Sequence, residues 1–261
     1  MIKSMINPDH TIKRIIVSMD TGGVNPAAME SIVVLASRLQ AELCGLFVED
    51  TALLQLANLP FTREVTLLTA LSRDLSGTSM EKNLSATAVQ MQRTLERLAQ
   101  LANVVCSFRT VRGPRLESVI RESNDFQVLV LMPKKRLTEG MRQVPKVDKD
   151  HPLVLFYDGS ALAHNAAGII RSLNTSSTMK QLLVLTTSDA AAEEIHQQFP
   201  SSHYHVRYEH IQGYDINELI TLVRRQAPGL VILPLQDILL RQGAALGKLL
   251  DVLSCPLILV R

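Results

Sequence analysis

Two stretches of this chain are built to one plan. A repeat of whole-domain length restricts the fold more than any single motif, because both copies must be explained by the same physics. An apolar run ends in an acidic turn at Arg14-Ile15-Ile16-Val17-Ser18-Met19-Asp20-Thr21-Gly22-Gly23, and again at Pro152-Leu153-Val154-Leu155-Phe156-Tyr157-Asp158-Gly159-Ser160. Later, Val111-Arg112-Gly113 opens a helix-like stretch that leads to the apolar run from Val128 to Pro133. Ile211-Gln212-Gly213 does the same and leads to the run from Leu230 to Pro234.

The remaining pattern fits strands alternating with helices. The first copy predicts strands over 15–19, 42–48, 104–111 and 128–132. Asn25-Pro26 is a helix start, with Asn as cap and Pro in the first turn, and Ala28, Ile32, Leu35, Ala36 and Leu39 mark its inner face by their spacing. A long helix is expected from Ser79 to about Ala102, with Val89, Leu95, Leu98 and Leu101 in its buried stripe, and another from Pro114. The second copy predicts strands ending at Tyr157 and over 181–187, 204–211 and 230–233, with helices over 161–173, 190–198 and 216–226. It then adds a helix over 244–253 and a last strand from Pro256 to Val260, which the first copy lacks. Such alternation implies an α/β fold with parallel sheets and right-handed crossovers. The reading is two tandem doubly wound domains, 1–137 and 151–261, with a polar linker at 138–150 broken by Gly140 and Pro145.

The copies differ in length. Asp20 to Gly113 spans 93 positions and Asp158 to Gly213 spans 55, an excess of 38 in the first. The longer helix and an apolar insertion at about 50–78 account for it. The insertion holds Leu53, Leu54, Leu56, Leu59, Phe61, Val65, Leu67, Leu68 and Leu71, too many for a solvated loop. It is expected to form one or two short helices that cover the open end of the first domain. The alternatives are a lid over an apolar ligand and an interface with a partner.

Composition narrows the function classes. Hydrophobic residues make up 46% of the chain but aromatics only 4%, with no Trp, so the cores must be aliphatic, as suits buried parallel strands. A net charge of +2 with 20% charged residues offers no basic face for nucleic acid. The short cluster Lys134-Lys135-Arg136 has the ordinary reading of a solvated loop. Cys44, Cys106 and Cys255 are odd in number and match no disulfide framework or zinc spacing. Reduced core cysteines are expected. Neither a signal-peptide pattern nor a run of membrane-spanning length is present, so the expectation is a cytoplasmic protein without a membrane partner.

Few residues suggest chemistry. Asp20 and Asp158 end the first strand of each copy, where open α/β sheets place ligands; each could face a base or ribose, or cap the next helix. Ser160 sits near a helix start, but no Gly-x-Ser-x-Gly elbow is present. His203 and His205 share a strand face while His210 points away, without a carboxylate or Cys at matching spacing, so exposed edge histidines are expected rather than a metal site. Gly243-x-x-x-Gly247-Lys248 is too short for a phosphate loop. No catalytic residue is assigned.

These pieces, in order and twice, resemble the universal stress protein family in its tandem form. The resemblance rests on the Asp158-Gly159-Ser160 turn with its weaker copy at Asp20, and on the turns at Gly113 and Gly213. It rests also on the apolar fourth strands and on the ending Cys255-Pro256-Leu257-Ile258-Leu259-Val260. It implies a fold of adenine-nucleotide alpha-hydrolase type, with a five-stranded parallel sheet per domain and pairing of domains through the last strand. Many members bind ATP, using a Gly-x-x-Gly after the fourth strand and a later Gly-Ser or Gly-Thr. Glycines there let the backbone approach phosphate, and amides at a helix N-terminus hold its charge.

This chain departs from that pattern. Pro133 and Pro234 stand where the first glycine should be, and Pro removes an amide donor and fixes φ. Gly243-Ala244 occupies the Gly-Ser position without the hydroxyl. The residual nucleotide or anion site would comprise Asp158, Gly159, Ser160, Gly213, Gly243 and Ala244, with Arg241 or Lys248 nearby. Asp20 and Gly113 are the first-domain equivalents. The expectation is no cofactor in the first domain, with ATP left open for the second. The functional expectation is a non-enzymatic stress-response protein acting by binding and by intramolecular domain pairing. A homodimer and an unidentified protein partner are left open. The alternatives are a nucleotide-binding switch or weak ATPase using the second domain, and a carrier of an apolar small ligand under the 50–78 segment.

Overall fold

The computed structural model describes residues 12–21, 26–65, 72–122, 126–133, 151–173, 180–199, 203–213, 215–236 and 243–261. The first half contributes β1 (Arg14–Met19), α1 (Pro26–Leu39), β2 (Glu42–Asp50), α2 (Thr51–Ala57), β3 (Arg63–Val65), β4 (Ser72–Asp74), α3 (Gly77–Leu101), β5 (Cys106–Gly113), α4 (Arg115–Glu122) and β6 (Val128–Leu131). The second contributes β7 (Leu153–Tyr157), α5 (Ala161–Leu173), β8 (Lys180–Thr186), α6 (Asp189–His196), β9 (Tyr204–His210), α7 (Ile216–Gln226), β10 (Leu230–Pro234), α8 (Gly243–Val252) and β11 (Leu257–Val260). The expected linker at 138–150 and the cluster Lys134-Lys135-Arg136 lie outside the described residues, as do Asn25, Leu67, Leu68 and Leu71.

One nine-stranded sheet runs through both halves in the order β5-β2-β1-β6-β11-β10-β7-β8-β9. Within each half the pairs are parallel and the third, second, first and fourth strands follow in the same order. The repeat is therefore a repeat of topology as well as of sequence. β11 lies parallel to β10 and antiparallel to β6, with Ile258 opposite Ile232 on one side and Val130 on the other. The resemblance implied pairing of domains through the last strand, with five strands per domain; here the single last strand, β11, completes both half-sheets.

Apolar side chains alternate between the two faces, as the period of a strand requires. Ile15, Val17, Met19, Leu155 and Ile232 face a core covered by α1, α3, α5 and α6. Ile16, Leu131, Phe156, Val231 and Leu259 face a second core covered by α4, α7 and α8. Helices on both faces of a mostly parallel sheet make this an α/β fold. Across the join, Arg38 at the end of α1 donates from Nη1 to Ser172 O (2.9 Å) and Leu173 O (3.1 Å), closing the C-terminus of α5, where a cation also meets the negative end of the helix dipole.

Two expectations need correction. The buried seam of α3 is Leu84, Ala88, Met91, Leu95 and Ala99, while Val89 and Leu101 face solvent. Val89 follows the seam residue Ala88 by one position, about 100° around the helix, and Leu101 follows Ala99 by two, about 200°. Among its described residues the 50–78 segment contains the short helix α2 and a two-stranded antiparallel ribbon, β3–β4, ahead of α3, instead of helices alone. Leu54 and Ala57 turn inward, but Leu56, Leu59, Phe61 and Val65 are exposed. Of the expected cover's described apolar residues, only Leu54 and Ala57 are buried.

Candidate functional site

In each half the strand order reverses between the first and fourth strands, β1 beside β6 and β7 beside β10. An open α/β sheet binds its ligands in the crevice outside the carboxyl ends of the strands at such a point. Both aspartates singled out by the repeat sit there. Asp20 follows β1 and Asp158 follows β7.

Both are also tied down across the crevice. Arg115, the first residue of α4, places Nη1 at 2.8 Å from Asp20 Oδ2, with both side chains largely buried. Its Nη2 donates to Met132 O, just past β6, at 2.6 Å. One guanidinium thus spans from the first strand to the fourth. In the second half Gln236, just past β10, donates from Nε2 to Asp158 Oδ2 at 2.5 Å. The other carboxylate oxygen accepts from Ser160 N at 3.0 Å, and Ser160 Oγ in turn accepts from Ala163 N at 3.2 Å. Asp158 and Ser160 thus serve as turn and cap for α5, while Gly159 supplies the positive φ of +77° that the turn requires.

The glycines after the third strands differ. Gly113, the last residue of β5, has φ +153°, and a Cβ on it would collide with Ser118 Oγ. Gly213 has φ +67° with open space where a Cβ would stand. It lines a crevice with Phe156, Ile216, Leu219 and Leu233 that offers about 10 Å³. That is room for about one water molecule, whereas pockets for small molecules run to about 300–1,000 Å³. Gly243 and Ala244 open α8, with free space around Gly243. The helix rests on the second core through Leu246, Leu249 and Leu250. Arg241 lies outside the described residues.

The structure joins Asp158, Gly159, Ser160 and Gln236 in one hydrogen-bonded turn, and Asp20 to Arg115. Arg115 was not foreseen, and neither was Gln236 as a partner. Comparing the copies carried a signal. Two residues past the paired glycines stand Arg115 and Asp215. Asp215 caps α7 by accepting from Asn217 N at 2.8 Å, so it supplies no cation like that of Arg115.

A second polar group lies on the other face. Tyr157, the last residue of β7, places its hydroxyl 3.2 Å from His164 Nδ1 and 3.3 Å from Nε2. His164 Nε2 is 3.1 Å from Glu194 Oε1. Gln198 donates to Tyr157 Oη at 3.3 Å and accepts from Arg171 Nη1 at 2.6 Å. Burial, reinforced by the charge of Glu194, pushes the Tyr157 phenol above its ordinary value of 10.0, so it remains a donor. The group locks β7, α5 and α6 together.

The expected edge histidines are found as described: His203, His205 and His210 are exposed on or beside β9, at the sheet edge. His196 pairs with Tyr208 Oη at 2.9 Å. Among the described residues no three His, Cys, Asp or Glu side chains gather as metal ligands, and no helix is long and apolar enough to cross a membrane.

No family model matches the chain, and no curated protein matches it. Among solved structures it is similar to a universal stress protein from Archaeoglobus fulgidus DSM 4304. That likeness has 10% identity over 94% of this chain and 96% of that one, with a TM-score of 0.47. At that score the likeness carries no functional weight, and the α/β assignment rests on the order and direction of this chain's own strands.

Proposed function

We propose that this chain is a non-enzymatic protein of the universal stress type, acting through binding and the pairing of its two halves, with a nucleotide site that has degenerated in both. The observation that carries the reading is the bridging of both switch points from within the chain. Arg115 spans Asp20 and the end of β6, and Gln236 holds Asp158 from the end of β10. A nucleotide would have to displace a partly desolvated ion pair in one half and a charge-assisted hydrogen bond in the other. The proline after each fourth strand supports the same reading, since it withholds an amide that a phosphate would use. Isothermal calorimetry of the full chain with ATP, ADP and AMP is expected to show no binding tighter than about 1 mM. Micromolar binding of any of the three would overturn the reading.

A further inference from the structure

β5 closes one end of the nine-stranded sheet, and among the described residues it pairs only with β2. The pairing runs without a break from Cys106 to Gly113, longer than an ordinary strand. Proteins usually protect such an edge with a bulge, a proline or a covering element. Residues 104–113 contain no proline, and the register holds no bulge. Leu43 N donates to Val105 O at 2.9 Å, which fixes the phase of the ladder. In a parallel pair alternate residues turn both N–H and C=O to the same neighbour, so those of Ser107, Arg109 and Val111 face β2. The N–H and C=O groups of Cys106, Phe108, Thr110 and Arg112 therefore point away from the sheet.

The side chains differ between the two faces of this edge. Cys106 and Phe108 pack against the first core. On the opposite face Val111 packs against the second core, but Val105, Ser107 and Arg109 are exposed, Val105 to 70%. The period of a strand puts those three on one face, with Val105 and Arg109 four residues, or about 13 Å, apart. Arg112 is already held by Glu49 at 3.0 Å and Glu81 at 3.5 Å. Arg109 has no such partner among the described residues. The edge thus offers a row of backbone donors and acceptors, flanked by an apolar side chain and a cation that nothing neutralises.

Charge and hydrogen bonding select the occupant. Alternating amides and carbonyls suit another extended backbone, whereas the carbonyls repel a phosphate chain. A second copy's β5 brings no acid to Arg109, because residues 104–113 hold two arginines and no Asp or Glu. The sheet's other end strand, β9, carries Glu209, but Arg225 already holds that carboxylate at 2.6 Å. The occupant that fits is an extended segment of a different protein. It carries a carboxylate to meet Arg109 and, four residues away on the same face, an apolar side chain to cover Val105. β2 separates β5 from β1, so this edge is distinct from the switch point that Asp20 marks.

We infer that the outer edge of β5 is a docking site for an extended acidic segment of a partner protein, which adds to the sheet as a further strand. Selection of a displayed library of random dodecapeptides on the full chain, followed by amide exchange with the selected peptide bound, tests it. The expected result is enrichment of Asp or Glu four residues from Val, Ile or Leu. The amides of Cys106, Phe108, Thr110 and Arg112 are expected to exchange more slowly on binding, while those of Ser107 and Arg109, already turned to β2, change little. Arg109→Glu is expected to weaken the selected peptide about tenfold with unchanged circular dichroism, since like charges then face each other. Reselection on that variant is expected to bring up Lys or Arg in place of the acid. Should Arg109→Glu fail to fold, Arg109→Gln serves in its place. A library that yields no such pattern, a selected peptide that leaves the four outward amides exchanging as before, or one that binds a folded Arg109 variant unchanged overturns the inference. A chain that instead retains oligothymidylate, and releases it in Arg109→Glu, also overturns it and assigns the edge to nucleic acid.

Discussion

Cys255 and Cys106 show how far single residues could be read. The chain's three cysteines, odd in number and isolated, pointed to reduced core thiols; Cys106 is only partly buried, whereas Cys44 is buried in the second core and so is Cys255. Burial pushes the Cys255 thiol from 9.0 to about 12. Cys106 rises from 9.0 to about 11, first by burial and then through the charge of Glu96. The native state therefore holds these protons more tightly than the unfolded chain does. That contribution to stability is complete below pH 9 and is lost as pH rises through 11 and 12. Urea unfolding at stepped pH is expected to show stability falling above pH 9, with a gentler fall in Cys255→Ala. A level profile up to pH 12 in the wild type contradicts the assignment. At the same scale, Asp20 and Asp158 were legible as site candidates because each ends a strand, a local signal. Arg115 and Gln236 were not legible as their partners. Arg115 is 95 positions from Asp20 and Gln236 is 78 from Asp158, and no local pattern records such pairing.

Helices and strands were mostly legible, since burial imposes a period on each. The 161–173 and 216–226 helices were found at their expected ends. The errors fell where the period was weak. The β3–β4 ribbon has only three residues per strand, too few to show alternation, and the seam of α3 includes Ala88 and Ala99, which a search for large apolar residues passes over. Helix ends also hide backbone states. Ala227 closes α7 with φ 45° and ψ 60°, its N–H donating to Val223 O at 3.0 Å. Glycine adopts this conformation without the steric cost that alanine meets. Ala227→Gly is therefore expected to stabilise the protein by about 0.5–1 kcal/mol, read as a higher urea midpoint with an unchanged m-value. A lower midpoint would show that the left-handed cap is not strained.

For the whole molecule the decisive element is β11. Ile258 is almost fully buried and contributes to the core shared by α1 and α5, and its strand pairs with both β6 and β10. The halves should therefore lose structure together. Ile258→Ala is expected to cost about 2–5 kcal/mol. Hydrogen exchange should show the amides of β1 and β7 losing protection by the same factor. Loss confined to β7 would mean that the halves open independently. The sequence by itself determined the α/β class, the repeat and the acidic turns, because strand burial, helix periodicity and turn chemistry act over short spans of chain. Only the tertiary structure decided that one strand closes both half-sheets, that Arg115 and Gln236 bridge the switch points, and that the inserted segment turns Phe61 outward. Each of these is a contact between residues distant in the chain or a choice of which apolar side chains find room inside, and only the packed whole fixes both.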